Sequence, residues 1–221
     1  MIHSLAFLKD IEQNNNREWF SANKQRYEAS KLELTELVSK VLQDASSFEQ
    51  GVMGQSAKEA IFRIYRDTRF SANKTPYKNN IGAWLVKGGK KSPLAGYYIH
   101  IQPGNSFLAG GIWMPESAQL QLIRQELHFN HPIFRDILSA PKFKTTFKQL
   151  DDHQLKTIPK GYEKLDPAID LLRYKSFVVS YKLEDAQLSD LVKLSKEIVR
   201  VFKVMSPFVQ FLNNALELGK S

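Results

Sequence analysis

Arg63, Arg66 and Arg69 stand at regular three-residue spacing in a stretch with one acid, Asp67, and are followed by Lys74, Tyr77 and Lys78 around Pro76. A guanidinium presents a planar fork that meets phosphate or carboxylate oxygens two at a time, and lysine adds a mobile point charge. Two cations about 6 Å apart repel by about 3 kcal/mol at an effective dielectric of about 20, and Asp67 offsets only part of that. Such a cluster is suited to holding an anion. A charge-assisted hydrogen bond contributes about 1.5–3 kcal/mol, so a few of them hold a phosphate-bearing ligand at micromolar level after the entropy of association. The expectation is that Arg63, Arg66, Arg69 and Lys74 line one solvent-reachable concavity, with Asp67 bonded to one of the arginines. The bland alternative is that the arginines pair with carboxylates brought in by the fold and the lysines are solvated.

Lys24, His100, Arg173 and Lys175 widen the set of ligand-binding residues, although a mid-strand histidine is more often packed than catalytic. His128-x-x-His131 has a possible metal spacing, but no carboxylate or third histidine accompanies it in sequence, so no metal is expected. Gly88-Gly-Lys-Lys-Ser92 lacks the earlier glycine of a phosphate loop and reads as a hairpin turn. With no cysteine in the chain, disulfides and thiolate chemistry are excluded. No serine–histidine–acid order is visible, and no cofactor is expected. Trp19, Trp84 and Trp113 are assigned to the core.

The 221 residues fit one domain, 1–221. The net charge of +8 is local: residues 60–100 hold eight basic side chains against Asp67, and the rest of the chain is nearly neutral. That favours a specific anionic partner over diffuse stickiness. A small phosphorylated or otherwise anionic molecule is the first reading. A nucleic acid is the second, with Tyr77, Tyr97 and Tyr98 stacking bases along a basic stripe. An acidic protein segment is the third. Whether catalysis occurs is left open; Asp67 or His100 would then move the proton. No apolar run is long enough for a membrane span and no signal-peptide pattern opens the chain, so the expected location is the cytoplasm.

These residues need a scaffold. The pattern predicts a short helix over 4–12, then a helix from Asn15 or Asn16 to about Ala45, with Glu18 completing a capping box from Asn15. Strands are predicted near 60–66, 81–87, 95–102 and 106–113, where seven of the eleven glycines lie between 82 and 111. Helix returns after Pro115 and again from Pro132. Asp166-Pro167 starts a short helix, and 173–181 reads as a strand. Two helices, about 186–204 and 207–218, close the chain. The class is α+β, a mainly antiparallel sheet packed against N-terminal and C-terminal helices.

Arg63-x-x-Arg66-Asp67-x-Arg69-Phe70-x-x-x-Lys74-x-Pro76-Tyr77 resembles the signature of a bacterial family of conserved hypothetical proteins, domain of unknown function 2461. The likeness extends from Asn14–Phe20 and Asn23-Lys24-x-x-Tyr27 through Gly96–His100, Pro103–Phe107, Gly110–Trp113 and Pro159–Tyr162 to Leu171–Phe177. It implies one fold over nearly the whole chain and implies no activity.

Overall fold

Helical spacing at both ends and strand spacing in the middle lead to an α+β fold with a four-stranded antiparallel sheet, as the computed structural model shows over the described residues 1–218. Helix α1 (Ile2–Gln13) buries Phe7, Leu8 and Ile11. The following helical stretch divides in two, α2 (Arg17–Ala22) and α3 (Lys24–Ala45), at Asn23. Asn16 caps α2 by accepting the Trp19 N–H. The expected Asn15–Glu18 box does not form, because the Asn15 amide is committed to the Tyr77 backbone.

The predicted strand at 60–66 is absent. Ser56 and Glu59 close a capping box on a short helix, α4 (Ala57–Ala60), and only isolated bridges follow, Ile61 with Ala83 and Tyr65 with Tyr77. Arg66 N–H donates to the Pro76 carbonyl, but proline has no N–H with which to return the bond, so the ladder cannot propagate. The other three predicted strands form as β1 (Ile81–Leu85), β2 (Gly96–Ile101) and β3 (Ser106–Ile112).

Pro132 does not end a helix. It lies inside α5 (Ser117–Ser139), which kinks at Asn130, two residues before the ring. Next come α6 (Pro141–Thr146), α7 (Ile169–Leu172), β4 (Phe177–Leu183) and α8 (Leu191–Leu218), and the sheet order is β1-β2-β3-β4. The predicted 173–181 strand thus begins four residues late. Gly111 explains one close approach: at φ +123° a Cβ would lie 1.9 Å from the Phe177 carbonyl oxygen. The two predicted C-terminal helices are one, with Pro207 inside it. Val201, Phe202, Met205, Phe208, Val209 and Leu212 are buried on both sides of that proline. This continuous stripe offsets a proline cost of about 3 kcal/mol.

The chain divides into two compact units. The first comprises 1–90, 98–108 and 182–200, and its core joins α1 to α3 through Phe7, Leu8, Ile11, Leu34, Val38 and Val41. The second comprises, among the described residues, 91–97, 109–181 and 201–218, and is centred on aromatic contacts among Phe134, Phe143, Phe177, Phe208 and Phe211. Trp113 is not core: it is 57% exposed, its ring edge-on to His153 at 4.7 Å. Among the described residues no helix is long and apolar enough to cross a membrane.

Candidate functional site

The basic segment is held to the first unit by two devices. Asn15 clamps the Tyr77 backbone in both directions at 3.0 Å, and the Tyr77 ring stacks on Phe20 with centroids 4.0 Å apart. The clamp contributes about 0.5–1.5 kcal/mol per bond, and the stack a similar amount beyond its buried area.

Arg66 leans inward. Its Nη1 donates to Thr75 Oγ1 at 2.7 Å and its Nη2 to Ser71 Oγ at 3.4 Å. Asn73 fixes Thr75 by accepting its backbone N–H and its hydroxyl. Arg66, Tyr77 and Lys78 line a cavity of about 370 Å³ together with Glu12, Asn15, Asn73 and Thr75. The Glu12 carboxylate is engaged by the Asn79 amide at 3.1 Å.

Arg63, Arg69 and Lys74, expected beside Arg66 in one concavity, are not among the residues that line this one. Arg69 makes a two-pronged pair with Asp67, Nη2 to Oδ2 at 2.6 Å and Nε to Oδ1 at 3.0 Å, with its side chain 77% exposed. That hydrogen-bonded guanidinium, with a smaller contribution from Arg63, holds the Asp67 carboxyl below its ordinary value. Asp67 is therefore bonded to an arginine, as expected. Lys74 donates to the Thr68 carbonyl at 3.0 Å and points to solvent.

Lys78 is in the least comfortable position. Burial first, then the charges of Arg63 and Lys90, push its ammonium below the ordinary lysine value. Its Nζ lies 5.6 Å from the Phe62 ring centroid, and Lys90 Nζ lies 5.5 Å from the same ring while donating to the Ile61 carbonyl. Among the described residues no carboxylate forms an ion pair with Arg63, Arg66, Lys78 or Lys90.

The other predicted residues have separate settings. Lys24 is exposed on the first turn of α3. His100 is buried between neighbours that use both ring nitrogens: Tyr98 Oη meets Nδ1 and Gln102 Oε1 meets Nε2, each at 3.0 Å. Its ring stacks on Phe107, and burial lowers its pKa. Arg173 donates to the carbonyls of Leu155 and Lys156, and the Lys175 backbone N–H bonds to the His153 carbonyl. Tyr77 and Tyr97 are buried, which removes the proposed base-stacking stripe: a ring must be exposed to stack a base.

The larger cavity, about 840 Å³, lies in the second unit and was not foreseen from the sequence. One face of α5 supplies Ser117, Gln121, Arg124 and His128, and the loop 160–167 supplies Lys160, Tyr162, Glu163 and Asp166. Asp166, buried, accepts from His128 Nδ1 at 2.6 Å and from the Ala168 N–H at 2.8 Å. Asp166 was expected to cap the helix beginning at Pro167; α7 instead begins at Ile169, and Asp166 accepts from the N–H of the residue just before that helix, Ala168. Arg124 Nε donates to the Leu172 carbonyl at 2.8 Å and Nη2 to that of Tyr174 at 3.4 Å. Burial lowers the Arg124 pKa, and burial raises that of Tyr162. Gly161, at φ +91°, makes the turn that presents Lys160 and Tyr162, a backbone state strained for any side chain with a Cβ. The readable signal was Arg124 and His128 four residues apart, hence on one helix face. His131, the other half of the histidine pair, has its Nδ1 buried without a hydrogen-bond partner.

A family model described as a conserved hypothetical protein, DUF2461, matches residues 3–211. No curated protein and no solved structure matches the chain.

Proposed function

The chain belongs to the DUF2461 family of conserved hypothetical proteins, and we propose that it binds a small phosphorylated or otherwise anionic molecule at the cavity of Arg66, Tyr77 and Lys78. The observation that carries this reading is Lys78. It is a half-buried ammonium repelled by Arg63 and Lys90, without a carboxylate to pair it among the described residues. An anion beside Lys78 relieves that repulsion, and the Arg66 fork, whose orientation Thr75 and Ser71 fix by accepting from it, gives it direction. Arg69 and Lys74 take no part: one is neutralised by Asp67 and the other is tied to a carbonyl.

The test is thermal unfolding with inorganic phosphate and with triphosphate. A ligand that binds only the folded state stabilises it by about 2.7 kcal/mol at about a hundred times its Kd. The melting temperature of the native protein rises, and that of an Arg66→Ala, Lys78→Ala double variant does not. An equal rise in both proteins, or none in either, refutes the proposal. Stabilisation by polyglutamate but by neither phosphate would assign the cavity to an acidic protein segment instead.

A further inference from the structure

We propose that the cavity of α5 and the 160–167 loop is a second site, in which His128 accepts a proton from a small oxyanion-bearing molecule held by Arg124 and Lys160. A carboxylate can only accept hydrogen bonds, so the 2.6 Å contact to Asp166 places the proton of neutral His128 on Nδ1 and the lone pair on Nε2. Asp166 is itself locked, its side chain 4% exposed and its other oxygen on the Ala168 N–H. The His128 side chain is 40% exposed and lines the cavity, and among the described residues no protein group bonds Nε2. The result is a base of fixed tautomer and fixed orientation.

Arg124 supplies the anchor. It spends Nε and Nη2 on two carbonyls and, among the described residues, meets no carboxylate at ion-pair distance, which leaves Nη1 and the positive charge of this cavity-lining residue uncommitted. Lys160 adds a second cation, while Gln121 and Gln125 add neutral hydrogen-bonding groups. Carboxylate and phosphate share the geometry that a guanidinium reads, so the ligand class is a small organic acid or phosphate ester. In the proton transfer, an O–H bond of the bound molecule breaks, its electron pair stays on oxygen, and an Nε2–H bond forms. The Nδ1–H bond stays intact and hydrogen-bonded to the Asp166 carboxylate, whose charge stabilises the imidazolium, and the reverse transfer returns the proton. The His153–Asp151 pair shows what is missing elsewhere: its partners contact at 2.5 Å, but it lines neither cavity.

Diethyl pyrocarbonate acylates an unprotonated imidazole nitrogen, and mass spectrometry reads each histidine separately. His128 is expected to react faster than the exposed His3, and His100, with both nitrogens engaged, to react slowest. At about ten times its Kd, inorganic phosphate or malonate slows the His128 reaction about tenfold, since only the empty site reacts. Protection by one probe alone assigns the class as phosphoryl or carboxylate. Protection disappears in Arg124→Gln and persists in the Arg66→Ala, Lys78→Ala variant, which separates this site from the first. Asp166→Asn can turn an N–H toward Nδ1 while its oxygen keeps the Ala168 bond. The proton then moves to Nε2 and the reaction slows without ligand, a change that nitrogen NMR reads as a tautomer switch. The proposal is overturned if neither probe protects, if protection survives Arg124→Gln or fails in the first-site variant, or if Asp166→Asn leaves tautomer and rate unchanged. Circular dichroism and melting curves establish that each variant is folded.

Discussion

The basic segment at 61–78 and the α5 cavity put positive charge to opposite uses. In the first, five cations lie within sixteen residues, of which Arg66 and Lys78 line the cavity of about 370 Å³, and the most prominent pair, Arg69 with Asp67, stands in open water. In the second, Arg124 drew no notice in sequence and His128 only as half of a histidine pair, but one helix face aims both at the larger cavity and a buried carboxylate fixes the imidazole. Charge density along a chain marks where cations are, whereas a site needs groups held on rigid backbone around a concavity. A loop lets cations find their own neutralisation: Arg69 curls back on Asp67 two residues away. Arg124 has no such carboxylate at ion-pair distance among the described residues: it donates to the Leu172 and Tyr174 carbonyls and lines the cavity with its charge unneutralised.

The largest effect should come from the scaffold of the first region. Phe20→Ala removes the ring under Tyr77 and contacts to Phe7, Tyr27 and Tyr65. A loss of about 3–5 kcal/mol is expected from urea unfolding, with phosphate no longer raising the melting temperature. A variant that keeps full phosphate stabilisation would show that the basic segment does not depend on this stack.

A smaller loss tests the second region. Gly161→Ala meets no atom within 4 Å, so its cost is purely that of an L-residue at φ +91°. About 1–2 kcal/mol is expected, together with weaker protection of His128, because the turn presents Lys160 and Tyr162. Stability and protection both at native levels would mean that the cavity does not need this turn.

The smallest effect is a pH dependence at Lys78. Its folded pKa lies below the ordinary 10.5, so between the two values the unfolded chain binds more protons and stability rises with pH. Below the folded pKa the protonated lysine imposes its full cost. Lys78→Met removes that cost without removing the aliphatic stem. The variant should be slightly more stable than the native protein at neutral pH, and the gain should shrink as pH rises through the folded pKa. A gain that stays constant with pH would assign it to packing rather than charge.

Local chemistry was legible in the residues themselves. Periodicity marked most of the helices and three strands of the middle block, and the Arg63–Lys78 stretch was visible as the one strongly basic segment, because backbone preference and charge are properties of a few neighbouring residues. The sequence even paired Asp67 with an arginine, since two residues of loop suffice for that contact. What it could not show were choices made between distant segments. Pro132 and Pro207 looked like helix ends, but the buried stripe around Pro207 carries α8 through, and Pro132 is accommodated by a kink. Asn15 looked like a helix cap until Tyr77, 62 residues away, claimed its amide. Asp166 sits 38 residues from His128 and seemed only to start a helix. Only the tertiary structure could decide that it orients an imidazole, because burying that carboxylate requires a partner that the fold alone brings within 2.6 Å.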